Sequence, residues 1–278
     1  MRILVAICFG IACSLAHLYA QSIEDPVPMV SCNSKEADYA PAYDPRTRML
    51  VFTSERSGKA GLYRCGAQTD GNAEPIGGTF VEGSSQRGMI TFAAGGEAYG
   101  VCYSVYEQQS FAGIVSVPRD DAAFNLGKPI ESINGPFFVS HPAVSPDGTR
   151  MVICTNRPGG EGGLDLWVSD RRDDLTWSDP TTLGRIVNSS GDEISPHFIT
   201  SDSLYFASNG IGGKGGFDVF YSVYRDGAWQ EPVPMDALNT EFDESDCARL
   251  EDGSYVFASN RPGGAGGLDL WISRKMRE

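Results

Sequence analysis

The residues of this chain that could move protons are few: His141, His197 and a scatter of carboxylates. Cleaving a glycosidic bond calls for two carboxyl groups facing each other across a pocket. Glu193, Glu244 and Asp147 are the nearest candidates, and each sits at an ordinary position of a repeating pattern. A Ser-His-Asp relay would have to use His141 or His197, and the chain has no GxSxG elbow to present a nucleophile. His197 follows Pro196 at the start of a strand, as a structural or pore-mouth residue would. Zinc is excluded by the absence of CxxC spacing. Glycine-rich stretches such as Gly159-Gly160 and Gly162-Gly163 invite a phosphate-loop reading. A phosphate loop opens a helix, whereas here a strand follows each glycine run. No cofactor is therefore expected. The alternative is calcium, held by Asp165, Asp218 or Asp269 and neighbouring carbonyls, although no DxDxDG loop is present.

These residues recur at a fixed interval. Thr155–Trp167 (TNRPGGEGGLDLW), Ser208–Phe220 (SNGIGGKGGFDVF) and Ser259–Trp271 (SNRPGGAGGLDLW) are copies of one segment, and Ser54–Arg64 is a shorter one. Glu55, Asn156, Asn209 and Asn260 mark the same place, at intervals of 101, 53 and 51 residues. The first interval is two periods, and a degenerate copy lies around Ala98–Ser104. A period near 50 with four short strands per copy is the signature of a β-propeller blade. Within one copy, Pro142–Ser145 reads as a strand and Pro146-Asp147-Gly148 as a turn. Arg150–Thr155 and Leu164–Ser169 are two further strands, and a fourth is expected around Leu183–Val187.

The predicted fold is thus all-β, a propeller of five four-stranded antiparallel blades: 36–80, 81–132, 139–187, 193–240 and 244–278. Asp25-Pro-Val-Pro-Met29 matches Glu231-Pro-Val-Pro-Met235 four periods later. The segment 24–32 should therefore supply the missing outer strand of the last blade and hide its open edge.

Residues 1–20 read as a secretory signal peptide, with Arg2 before an apolar run and a small residue, Ala20, at the cut. A lipoprotein cut before Cys13 is the weaker alternative, because Gly10 stands where a branched aliphatic is usual. No later apolar run is long enough to span a membrane. The formal net charge of −14 excludes a nucleic-acid backbone as partner. Export permits disulfides, and the odd number of cysteines after the leader leaves at least one unpaired. Cys102 and Cys154 occupy a small buried position that Thr53, Ala207 and Ala258 fill in the other copies.

The SPDG turn at Ser145–Gly148, the NRPGGxGGLDLW hairpins, and the linkers Trp177-Ser-Asp-Pro180 and Asp192-Glu193 resemble the TolB-type WD-like β-propeller repeat. They are similar also to the propeller segments of exported OmpA-family proteins of Bacteroidota. The resemblance spans nearly all of the chain after residue 20 and implies a periplasmic or outer-envelope location. It further implies non-catalytic binding of another cell-envelope protein, or a scaffold role. A five-bladed carbohydrate-active hydrolase and a calcium-stabilised structural component are the alternatives. In this reading Asn156, Asn209, Asn260, Asp165, Asp218 and Asp269 build the blades. Arg157 and Arg261 pair with those aspartates or meet a partner, as His197 does at the pore. The most divergent segment, Tyr106–Asp121, offers Gln108, Phe111 and Arg119 for recognition.

Overall fold

The computed structural model describes residues 23–66, 71–82, 87–93, 95–106 and 109–276. The leader 1–20, with Cys13, lies outside them, as does Gln108. Five antiparallel sheets stand around a common axis. Blade 1 comprises Asp38–Asp44, Met49–Ser54, Gly61–Cys65 and Glu74–Pro75, from the axis outward. Blade 3 repeats the order with Val139–Val144, Arg150–Thr155, Asp165–Asp170 and Thr181–Thr182. Blade 4 has Glu193–Thr200, Ser203–Ser208 and Asp218–Arg225, whose outer edge pairs with both Ala228–Trp229 and Val233–Pro234. Blade 5 has Glu244–Arg249, Tyr255–Ser259 and Asp269–Ser273. Among the described residues no helix is long and apolar enough to cross a membrane.

Closure follows the predicted route. Val27–Pro28 pairs antiparallel with Asp269–Ser273, placing Val27 opposite Ile272 and Pro28 opposite Trp271. Asn33 clamps the junction: its Nδ2 donates to the Leu270 carbonyl and its Oδ1 accepts from the Leu270 N–H, both at 2.9 Å. Cys32 is bonded to Cys65 of blade 1, so the closing segment is also held covalently to the neighbouring blade. Cys102, Cys154 and Cys247 are free thiols.

Two strand expectations are corrected. The fourth strand of blade 3 is Thr181–Thr182, not Leu183–Val187. The later residues turn inward instead: Asn188 Oδ1 accepts from the Leu166 N–H and its Nδ2 donates to the Leu166 carbonyl, doing for the edge what a ladder would. Blade 2 has a three-stranded ladder, Arg87–Phe92, Ala98–Tyr106 and Gln109–Ser116, with a single Val115–Pro129 bridge at its outer edge. Its outer segment carries no run that alternates like a strand, so the side chains and turns of 117–134 cover the edge instead.

The core lies between blades. Apolar residues of the middle strands interlock across each junction, as Val152 and Leu166 do with Phe198, Leu204 and Phe206. Val51 and Leu62 of blade 1 meet Ile90 and Ala98 of blade 2 in the same way. Burying both faces of a strand explains the nearly continuous apolar runs, such as Met151–Cys154.

Candidate functional site

Every inner strand breaks its ladder at the same place. Register shifts fall between Tyr39 and Ala42, Gly88 and Thr91, Ile194 and His197, and Ser245 and Ala248, and an equivalent one interrupts Val139–Val144. At each bulge one residue has a left-handed backbone: Ala40, Met89, His141, Ser195 and Asp246, with φ between 47° and 54°. Such a conformation costs a non-glycine residue about 1–2 kcal/mol, and bulges re-aim the side chains they carry. Proline follows in three blades (Pro41, Pro142, Pro196), where the interrupted ladder needs no N–H donor. The five residues form a ring around the axis. From it a cavity of about 240 Å³ runs toward the C-terminal ends of the inner strands, bordered by His141, Ser195, His197, Asp246, Cys247 and Arg249.

Two titratable groups meet in the ring. His141 Nε2 lies 3.9 Å from Asp246 Oδ1, with both side chains largely buried. Ser140 Oγ is 2.8 Å from the other imidazole nitrogen of His141, and Ser245 Oγ donates to Asp246 Oδ2 at 2.8 Å. Burial holds the His141 pKa below the usual histidine value, against the opposing pull of Asp246. The imidazole is therefore neutral near pH 7. It can hold a hydroxyl or water in the cavity by a hydrogen bond, beside the Asp246 carboxylate. Ser195 Oγ, on the next blade, is buried without a hydrogen-bond partner in the protein. His197 turns into the same cavity, and burial pushes its pKa down to about 4. Among the described residues no group of three or more His, Cys, Asp or Glu side chains is placed to hold a metal ion.

The carboxylates considered from sequence lie elsewhere. Glu193 and Glu244 are fully buried at the entrances of their inner strands. Glu193 accepts from the Ser189 N–H and hydroxyl and from Ser208 Oγ. Glu244 accepts from Thr240 and Ser259 and pairs with Arg261 at 2.9 Å. Asp38 does the same for blade 1, bound by Ser34 and Arg56. Asp147 is held by Ser145 and Thr149 in its turn.

The hairpin residues are engaged within their blades. Asp165, Asp218 and Asp269 each accept N–H bonds from the glycine turn just before them: Glu161 and Gly162, Lys214 and Gly215, Ala265 and Gly266. A Cβ at Gly160 would collide with the Asp165 carboxylate, which is why the turn is glycine there. Asn156, Asn209 and Asn260 accept from the N–H groups of Phe138, Asp192 and Asp243, tying the second strand to the entrance of the first. The expected Arg–Asp pairs do not form. Arg157 donates to the Ile133 carbonyl and stacks over Phe137 and Trp167, and Arg261 goes to Glu244 and the Leu238 carbonyl. Arg119 is buried against Asp44 and is not exposed for recognition. Phe111 lies on the strand Gln109–Ser116, opposite Ser104.

Asp246 and Ser195 escaped sequence reasoning. The available signal was a break in the repeat: at one equivalent position the five blades carry Ala40, Met89, His141, Ser195 and Asp246, a variability that blade construction does not require.

No family model and no curated protein matches the chain. Its fold is shared with several solved structures. An endo-arabinase from Bacteroides thetaiotaomicron aligns with a TM-score of 0.59 at 14% identity, over 93% of this chain and 99% of that one. The α-L-arabinofuranosidase PaAbf62A from Podospora anserina, solved with cellotriose, gives 0.56 at 13% identity over 93% and 98%. A TolB-type structure from Agrobacterium tumefaciens gives 0.50 at 15% identity over 91% and 92%. The likeness is thus mixed and not specific to TolB. The expectation of a non-catalytic chain, drawn from the TolB resemblance, is corrected by the glycosidases that align with it at higher scores. What the chain shares with the hydrolases and the TolB-type structure is the propeller fold.

Proposed function

We propose that this protein is an exported carbohydrate-active hydrolase whose reacting bond sits at the axial ring, beside Asp246 and His141. One observation carries the reading. The two ring positions with titratable side chains, His141 and Asp246, are adjacent in space, face a cavity, and vary at a place where the blades share one backbone geometry. Two of the propellers that share the fold are an endo-arabinase and an α-L-arabinofuranosidase, so arabinose-containing glycans are the first substrates to test. A cavity of about 240 Å³ is below the 300–1,000 Å³ of most ligand pockets and suits the end of a glycan rather than a long internal stretch.

In this reading Asp246 receives the proton of the attacking water as the new C–O bond forms, and His141 orients that water. The test is a screen of the purified chain against arabinan, arabinoxylan and aryl arabinofuranosides. Hydrolysis that disappears in Asp246→Asn, with an unchanged unfolding curve, supports the assignment. Binding of a glycan without turnover, or full activity in Asp246→Asn, rejects it.

A further inference from the structure

The axial ring is sided. The inner strands follow one another around the axis in chain order, so His141, Ser195 and Asp246 occupy three consecutive blades and Ala40 and Met89 the other two. One arc therefore carries an imidazole, a hydroxyl and a carboxylate. The other carries a methyl group and a thioether, and the Tyr103 hydroxyl steadies the thioether by donating to Met89 Sδ at 3.2 Å. The asymmetry continues along the cavity. Blades 1 and 2 line it with Pro41, Ala42, Tyr43, Ile90 and Phe92, whereas blades 4 and 5 add His197 and Arg249. Thr91, the polar exception on the first side, already accepts from the Val144 N–H at 3.3 Å.

Within the polar arc Ser195 stands apart. The side chains of His141 and Asp246 are each held by the residue before them: Ser140 Oγ lies 2.8 Å from His141 Nδ1, and Ser245 Oγ donates to Asp246 Oδ2. On blade 4 that place is taken by Ile194. The Ser195 hydroxyl has no hydrogen-bond partner among the described residues, although Ser195 is only 4% exposed. The fold does not require this hydroxyl, because Ala40 adopts the same left-handed backbone on blade 1, with φ of 51° against 54°. A buried hydroxyl left unpaired is costly. One that the backbone does not need and the protein does not satisfy is suited to a ligand in the cavity that Ser195 borders.

We propose that Ser195 is a specificity-determining residue, hydrogen-bonded to a hydroxyl of the sugar held at the ring, while CH groups of the same sugar lie against Ala40 and Met89. The choice of sugar rests on the hydrolase reading above. A sugar ring carries hydroxyls at its edge and CH groups on its faces, which matches a constriction polar on one arc and apolar on the other. Ser195 stands on the blade between those of His141 and Asp246, so the hydroxyl it holds fixes the sugar beside that pair without entering the proton transfer. The site then selects for that hydroxyl, since a deoxy analogue leaves Ser195 unpaired again.

The test pairs Ser195→Ala with para-nitrophenyl α-L-arabinofuranoside and its 2-, 3- and 5-deoxy analogues. On the parent substrate the variant is expected to lower kcat/KM about tenfold, the effect of one neutral hydrogen bond. On the analogue lacking the hydroxyl that Ser195 holds, wild type and variant should be equal, and comparing the two proteins on one substrate cancels that substrate's own reactivity. Adding Ala40→Ser to Ser195→Ala returns a hydroxyl to the ring on the wrong arc and should rescue nothing. The same wild-type-to-variant ratio on every substrate, or rescue by Ala40→Ser, overturns the role of Ser195 alone. Calorimetric titration with arabinobiose separates the two readings. Binding that weakens in Ser195→Ala, by a chain that cleaves nothing, overturns the hydrolase and leaves the sugar contact standing. A chain that cleaves nothing and does not bind, or binds regardless of Ser195, overturns both.

Discussion

Arg119 and Asp44 form a bidentate ion pair, Nη1 to Oδ2 at 2.7 Å and Nη2 to Oδ1 at 2.9 Å, with about 1% of each side chain exposed. The pair joins the loop after blade 2 to the inner strand of blade 1. The guanidinium also lies over Phe92 and Phe124, at 4.4 and 5.5 Å from the ring centroids. Blade 2 has no ladder-forming fourth strand, and this contact fastens its outer segment to the body. Removing either partner strands a buried charge, so Arg119→Ala or Asp44→Ala should cost about 3–5 kcal/mol in urea unfolding. Arg119→Met, which keeps the packing over Phe92 and Phe124, should still be strongly destabilising, because Asp44 loses its counter-charge in either variant.

The covalent tie between Cys32 and Cys65 closes a loop with a sequence separation of 33. In the chain-entropy view a loop of that size stabilises by about 3–4 kcal/mol. The double variant Cys32→Ser/Cys65→Ser should lose that amount in equilibrium unfolding, and a strong dithiol reductant should lower the wild type toward it. A midpoint unmoved by reductant would show that the bond contributes nothing to the ring.

Asp165 accepts from two N–H groups of its turn, those of Glu161 and Gly162. Asp165→Ala should cost about 1–3 kcal/mol, and Asp269→Ala a similar amount in the matching turn of blade 5. Activity on any glycan substrate should survive in both once the protein is folded. Loss of turnover with full stability would place these aspartates in the site instead.

Burial keeps His197 neutral in the fold down to about pH 4, whereas the unfolded chain protonates it near 6.5. Between those values the unfolded state binds more protons, so stability rises with pH there and is lost as pH falls from about 6.5 to about 4. The full difference is about 3 kcal/mol. His141, also held below its ordinary value, adds in the same direction. Urea midpoints at pH 7 and 4.5 should differ markedly in the wild type and less in His197→Gln.

The propeller was legible because its evidence repeats. Asn156, Asn209 and Asn260 at a period near 51 announce blades whatever each strand's own propensity, and the match of Pro26 with Pro232 announces closure. The fourth strand of blade 3 was misplaced because Leu183 and Val187 are apolar for a different reason: they pack into the junction with blade 4. Repetition also misled. It drew attention to Glu193 and Glu244, which recur, with Asp38, as buried acceptors at the entrance of three of the inner strands. Asp246 went unnoticed because its role depends on His141, more than a hundred residues earlier, arriving 3.9 Å away. Only a closed ring creates that proximity.

Pairing Val27–Pro28 with the strand that ends at Ser273 has a kinetic consequence. The earliest-made strand must wait for almost the last one, so no partly synthesised chain can seat it. Long-range pairing of this kind slows folding and leaves edges exposed until it completes. A nascent or truncated chain that stops short of Asp269 keeps an unfilled slot and a loose leading segment, both open to proteases. Protease resistance should therefore appear only after the strand that ends at Ser273 has been made and Val27–Pro28 has paired with it, so the ring checks that both its ends are present before its axial cavity is complete.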